Sequence, residues 1–256
     1  MVRGIEKFKE YFADYDGNYV IIGGTACDIL EENAGQQPRA TKDIDIILIV
    51  EALSIDFVKQ FWKFVKDGRY NPCQQSSEKQ QHFRFSNPKY ETFPKQIELF
   101  SRKPNILYIP DDVILIPIPV DEDLSSLSAI LMNDLYYLFT IEHSIIDDTV
   151  RLADIESLIV LKAKAFLDLN ERRLKGEIID SKKINKHKND IFRLATLLSD
   201  TIFILPDAIF DDFTFFCRSI MNILPEDSFF ANTMGLNTTA KEVFDRLCKY
   251  FNIEII

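Results

Sequence analysis

A short β-type run, Tyr19–Ile22, stops at Gly23-Gly24, and a helical stretch, Thr25–Glu32, follows at once. Asn33-Ala34-Gly35 ends that stretch, and a second apolar strand, Asp45–Val50, is entered through Asp43 and Asp45. This strand–glycine turn–helix–strand order is what most narrows the possible folds. A run of four to six β-formers too short to be a helix, followed by a helix-period segment, belongs to an α/β layout with helices laid on a sheet.

The rest of the first half continues the alternation. Ser54–Lys66 places Ile55, Phe57, Val58, Phe61, Trp62 and Val65 at helical spacing, and His82–Phe85, Gln96–Phe100 and Val113–Val120 read as strands. The prolines of the last one mark it as an edge strand or extended segment. From about Leu124 the pattern turns helical: Ser125–Tyr137, Asp154–Asn170 with a wide apolar face, a charged connector or frayed helix over Glu171–Lys188, Asp190–Leu198, and two helices between Asp207 and Phe251 interrupted near Pro225. The expected organisation is an α/β domain over 1–123, a mixed sheet flanked by helices, followed by a mainly helical domain over 124–256.

Charge limits the function classes. The net charge is −10, so a broad basic nucleic-acid footprint is not expected. An acidic chain still holds an anionic substrate where a few Lys and Arg converge and a cation helps. Cys27, Cys73, Cys217 and Cys248 are scattered without CxxC spacing, which points to reduced thiols and a cytoplasmic setting rather than zinc or disulfides. The first residues read as an amphipathic helix, not a signal peptide, and no apolar stretch reaches the roughly 18 residues that span a bilayer, so no membrane association is expected.

Asp43 and Asp45 are two apart on a strand and share a face. Two adjacent carboxylates repel, and a divalent cation resolves the repulsion; Mg²⁺ takes oxygen ligands and shares them with substrate phosphates. The plainer alternative is a pair of loop aspartates at a strand entrance. Upstream, Gly23-Gly24 lets backbone approach a ligand, free amides at a helix start hold phosphate, and the Thr25 hydroxyl adds a donor. Glu98, between Ile97 and Leu99, is a third acid; it either joins the aspartates around one or two cations or faces solvent on an alternating strand. His187 lies in a lysine-rich stretch with Lys182, Lys183, Lys186 and Lys188; this reads as a solvated helix start, or as a guide for a polyanionic acceptor.

Taken together, Gly23-Gly24-Thr25-Ala26, Arg39-Ala40-Thr41-Lys42-Asp43-Ile44-Asp45 and Glu98, with "LADIESLIVLKAKAFLDL" and "KHKNDIFRLATLL" in the second half, resemble the nucleotidyltransferase superfamily, and within it the AbiEii-type enzymes known largely as toxins of toxin–antitoxin and phage-defence systems. The resemblance covers roughly residues 19–200. It implies a nucleotidyltransferase-like fold and Mg²⁺-dependent transfer of an NMP from an NTP to an acceptor hydroxyl on tRNA or a small compound, with an antitoxin protein as a possible partner. It also implies roles for residues. Gly23, Gly24 and Thr25 cradle the triphosphate, with Arg39 among the nucleotide-binding residues; Asp43, Asp45 and Glu98 hold metal. Lys162 or Lys164 faces the phosphates, Lys164 being favoured, and Asp190 supports the site. The chain departs from the family pattern in Gly-Thr for Gly-Ser, in Glu as third acid with Asp111, Asp112, Asp121 and Glu122 nearby, and in a longer segment between Thr25 and Asp43. A catalytically silent binding module and an antibiotic nucleotidyltransferase are the alternatives.

Overall fold

The computed structural model describes residues 2–71, 73–75, 82–101, 115–117, 130–131 and 133–255. Strands β1 (Tyr19–Ile22), β2 (Asp43–Leu48), β3 (Cys73–Gln75), β4 (His82–Ser86), β5 (Gln96–Phe100), β6 (Leu115–Pro117), β7 (Ser144–Asp147) and β8 (Val150–Ala153) form one mixed sheet in the order β6-β3-β4-β5-β2-β1-β8-β7. β2 runs antiparallel to β1 and parallel to β5, and β5 runs antiparallel to β4. The proline-bearing strand lies at an edge, as its composition requires.

The two faces of the sheet do different work. Helices α1 (Ile5–Phe12) and α3 (Ile55–Gly68) cover one of them with aromatic side chains. Phe12 and Phe57 meet Tyr19 of β1, and Phe61 and Trp62 meet Phe85 of β4. Phe8, Phe12, Tyr19, Phe57, Phe61, Phe64 and Phe85 are all essentially sealed from solvent. On this face Ile44 and Ile46 of β2 are buried, so strict alternation sends Asp43 and Asp45 to the other side.

Helices α2 (Gly23–Asn33), α5 (Ile155–Leu174) and α6 (Ser181–Ala195) lie on that other side, with α4 (Asp134–Glu142), α7 (Asp207–Ile220), α8 (Ser228–Met234) and α9 (Ala240–Tyr250) completing the helical part. Four of the helices start where a side chain satisfies a free amide: Ser54 caps α3, Asp154 caps α5, Asp180 caps α6, and Thr239 with Glu242 closes a capping box on α9. α5 packs along α6, and α2 touches both.

Several sequence expectations are corrected. The stretch expected to be mainly helical contains the hairpin β7–β8, turned at Asp148 (φ 55°), and β8 pairs parallel with β1 through Ile21 and Leu152. The sheet therefore recruits residues beyond 123. Alternation in "SIIDDTVRLA" is short, and tertiary pairing decides it. Of the two readings of Glu171–Lys188, connector or frayed helix, the helical one holds for most of it, since α5 continues to Leu174 and α6 begins at Ser181. The tail holds three helices rather than two. Of the helix expected over Ser125–Tyr137, residues 125–129 and 132 lie outside the described residues, as do all but 115–117 of Val113–Val120.

Buried Arg193 of α6 clamps α2 by donating to both carboxylate oxygens of buried Glu31, with Nη2–Oε2 at 2.5 Å, and to the Gln37 carbonyl. Breaking such a pair leaves an uncompensated charge. Arg193→Leu is expected to destabilise the chain by about 3–5 kcal/mol. The Glu31→Leu/Arg193→Leu double variant is expected to recover part of that loss, both read from urea midpoints.

Candidate functional site

The site is built on the sheet face under α2, α5 and α6. β2–β5 pairing sets Asp45 opposite Glu98 and Asp43 opposite Gln96, while β4–β5 pairing sets Arg84 opposite Glu98. All five side chains line one cavity of about 230 Å³ with Gly23, Gly24, Arg39, Thr41, Lys162, Lys183, Lys186 and His187. The opposite wall is apolar, from Leu158, Leu161 and Ala165 of α5.

Gly23 ends β1 with φ +69°, a backbone shape that suits glycine, and a Cβ there would stand 2.0 Å from Asp45 Oδ2. The Asp45 carboxylate thus rests on the turn itself. Residues Gly23 and Gly24 open α2, whose N-terminus has no side-chain cap and no acidic residue in its first turn. Those amides and the positive end of the helix favour an anion.

Crowding of negative charge shows in the titration. Burial, then the charge of Glu98, pushes the Asp45 carboxyl up to about 7. The same two causes raise Asp43, while the charges of Lys95 and Lys186 work against the rise. Glu98 is 3% exposed, and its Oε1 accepts from Arg84 Nε at 2.9 Å and from Gln96 Nε2 at 2.7 Å.

A second charge cluster stands behind the cavity and reaches its lining through Arg39 and Lys162. Asp190 of α6 accepts from Arg39 Nη1 at 2.9 Å and from Lys162 Nζ at 2.7 Å, one on each oxygen. Burial works to raise its carboxyl, yet Lys162 and Arg39 hold it below the usual range. Burial likewise works to lower Lys162, and Asp190 more than offsets it. This ion pair is therefore charged on both sides.

The predicted residues fall into three groups. Asp43, Asp45, Glu98, Gly23, Gly24, Arg39 and Lys162 line the cavity, and Asp190 stands directly behind it. Thr25 does not offer its hydroxyl to a ligand: fully buried, it donates to the Asp43 carbonyl at 2.6 Å and so fixes the strand entrance. The preference for Lys164 over Lys162 is reversed. Residues two positions apart on a helix point about 200° apart, and Lys164 points away to Asp212 Oδ2 at 2.6 Å, beside the Tyr136 ring. Thr41, Arg84, Gln96 and His187 were not predicted as site residues. Thr41 Oγ1 is buried with no hydrogen-bond partner among the described residues, 2.6 Å from where a Cβ on Gly24 would lie. Only the closeness of Thr41 to Asp43 in the chain hinted at it. The rival acids Asp111, Asp112, Asp121 and Glu122 lie outside the described residues.

Among the described residues no three acidic, His or Cys side chains form a ready-made metal cage. Glu98 serves Arg84 and Gln96 here, rather than completing a three-carboxylate set. Asp43 and Asp45 nevertheless fit a hard dication. They are two carboxylates on one strand face, both raised by burial and by the Glu98 charge, an excess that a cation relieves.

No family model and no curated protein matches this chain. Among solved structures it is similar to an antigenic nucleotidyltransferase-like protein from Paracoccidioides brasiliensis, at 12% identity over 95% of this chain and 99% of that one, with a TM-score of 0.44. Likeness of that size leaves function to be read from the residues.

Two outcomes follow from the geometry. Folding raises the Asp45 pKa from 3.8 to about 7, so the folded chain holds this proton more tightly than the unfolded one. Its contribution to stability is complete below about pH 4 and is lost as pH rises through about 7. Asp45→Asn is therefore expected to be more stable than the natural chain at pH 8, by about 4 kcal/mol at most, since Asp45 keeps some access to water. The advantage is expected to shrink at pH 5, as read from thermal melts. Gly23→Ala is expected to destabilise by more than about 1 kcal/mol, through its left-handed backbone and its collision with Asp45.

Proposed function

We propose that the chain is a nucleotidyltransferase that moves an NMP from an NTP to an acceptor hydroxyl. The single observation that supports this best is the Asp45–Glu98 rung, with Asp43 alongside, facing the uncapped, glycine-opened start of α2. One side of that junction attracts cations and the other attracts anions, as a metal-bound polyphosphate needs.

In this reading the Gly23 and Gly24 amides hold the leaving phosphates. Arg39, Lys162 and Lys186 balance their charge, and Thr41 adds a hydroxyl donor. A dication held by Asp43 and Asp45 supplies further charge neutralisation at the transferring group. The acceptor oxygen bonds to the α-phosphorus, the bond from that phosphorus to its bridging oxygen breaks, and pyrophosphate leaves. Glu98, positioned by Arg84 and Gln96, takes the hydroxyl proton.

The cationic side chains around the opening favour an anionic acceptor. Lys182 and Lys186 are exposed on α6, with Lys183 partly so, and Lys42 and Lys95 are exposed beside β2 and β5. They suit tRNA better than a cationic antibiotic. A toxin–antitoxin setting is supported by the sequence resemblance alone. A second reading, a silent binding module, is favoured by one feature: the Arg84–Glu98 pair already neutralises the third carboxylate.

The test is incubation with Mg²⁺, each labelled NTP, and either total tRNA or a panel of small hydroxyl compounds. Label is expected on tRNA, with a loss of about 100-fold or more in Asp45→Asn. Lys162→Ala is expected to lose transfer and Lys164→Ala to keep it. Transfer that survives Asp45→Asn would refute the reading, and NTP binding without transfer to any acceptor would favour the silent module.

A further inference from the structure

His187 is the odd member of the cavity wall. Its neighbours on α6 are lysines, yet it faces inward with Leu158, Leu161 and Ala165, and both ring nitrogens are enclosed without a hydrogen-bond partner among the described residues. A buried imidazole ordinarily donates one N–H to a carboxylate or carbonyl. Asp190, the acid one helical turn along α6 whose charge acts on the ring, already accepts from Arg39 on one oxygen and from Lys162 on the other. Burial, then the charge of Lys162, lowers the His187 pKa to about 3, so the ring is neutral at any working pH.

A neutral imidazole carries one donor and one acceptor. Leaving both unmade in a folded interior is costly, and a phenylalanine or leucine would fill the same space without that cost. Conflicts of this kind concentrate where a chain meets a ligand. In the nucleotide reading the phosphates fall to the Gly23 and Gly24 amides and to cationic Arg39, Lys162 and Lys186, all in the cavity lining. A neutral donor–acceptor next to an apolar wall suits a different part of a nucleotide: the ribose and base, which offer flat apolar faces with hydrogen-bonding edges.

We propose that His187 contacts the substrate, hydrogen-bonding the nucleoside part of the bound nucleotide against the Leu158–Leu161–Ala165 wall, and so helps select which nucleotide is accepted. This rests on the nucleotide reading of the cavity given above. Sequence had placed the residue at a solvated helix start; the packing of α6 on α5 turns it inward.

The experiment measures binding and melting together. ATP, GTP, CTP, UTP and inorganic tripolyphosphate are titrated calorimetrically, with Mg²⁺, into the full chain and into His187→Phe, His187→Leu and His187→Gln. The natural chain is expected to bind at least one NTP more tightly than tripolyphosphate. His187→Phe is expected to melt no lower than the natural chain, to lose about tenfold in affinity for that NTP, and to bind tripolyphosphate within twofold of normal. Should Phe be too large to fold there, His187→Leu carries the same expectation. His187→Gln, which keeps a donor and an acceptor, is expected to retain most of the NTP affinity. Unchanged NTP affinity in the apolar variants, or an equal loss for NTP and tripolyphosphate, would overturn the proposal. Equal binding of NTP and tripolyphosphate by the natural chain would overturn it as well while sparing the phosphate site. Binding of neither would bring down the nucleotide reading itself.

Discussion

Two carboxylates abreast on neighbouring parallel strands are the constraint around which the rest is arranged. Register between β2 and β5 places Asp45 beside Glu98, and alternation brings Asp43 to the same face. Strand pairing cannot separate them, because a one-residue slip would send Ile44 and Ile46 out of the aromatic core. The repulsion must therefore be met by charge from elsewhere. Arg84 from the next strand takes up Glu98, Lys95 and Lys186 lie close enough to oppose the rise of Asp43, and the α2 start offers its helix dipole.

Asp190 plays the complementary part. It gathers Arg39 from the loop between α2 and β2 and Lys162 from α5, so three separate elements converge on one buried carboxylate. An anion entering the cavity would meet two cations whose positions are already fixed, and their ordering is done before the ligand arrives. Buried Glu31–Arg193 holds the same loop from behind through the Gln37 carbonyl.

What could be read from sequence followed the strength of local signals. The β1–Gly23-Gly24–α2 order and the paired aspartates were legible because glycine freedom and strand alternation are local rules. So were the sheet with flanking helices and the shared face of Asp43 and Asp45. The Lys162 and Lys164 choice was not, since helix rotation is set by which face α5 buries, and apolar residues surround both. Thr25 was misjudged because a hydroxyl cannot reveal in sequence whether it serves a ligand or a carbonyl. The β7–β8 hairpin was missed because four-residue strands carry too little periodicity, and His187 because lysines on either side masked its inward aim.

The parallel pairing of β8 with β1 has a consequence for anyone dividing this chain. A fragment stopped near residue 123 would keep β2 but lack β8, the other partner of Tyr19–Ile22, a strand that is sealed from water along its whole length. Its bare ladder of amides and carbonyls, bordered by apolar side chains, would be open to pairing with other copies of itself. The α/β part is thus completed by a segment that comes after it in the chain, and a nascent polypeptide has to synthesise past Ala153 before that edge can be covered.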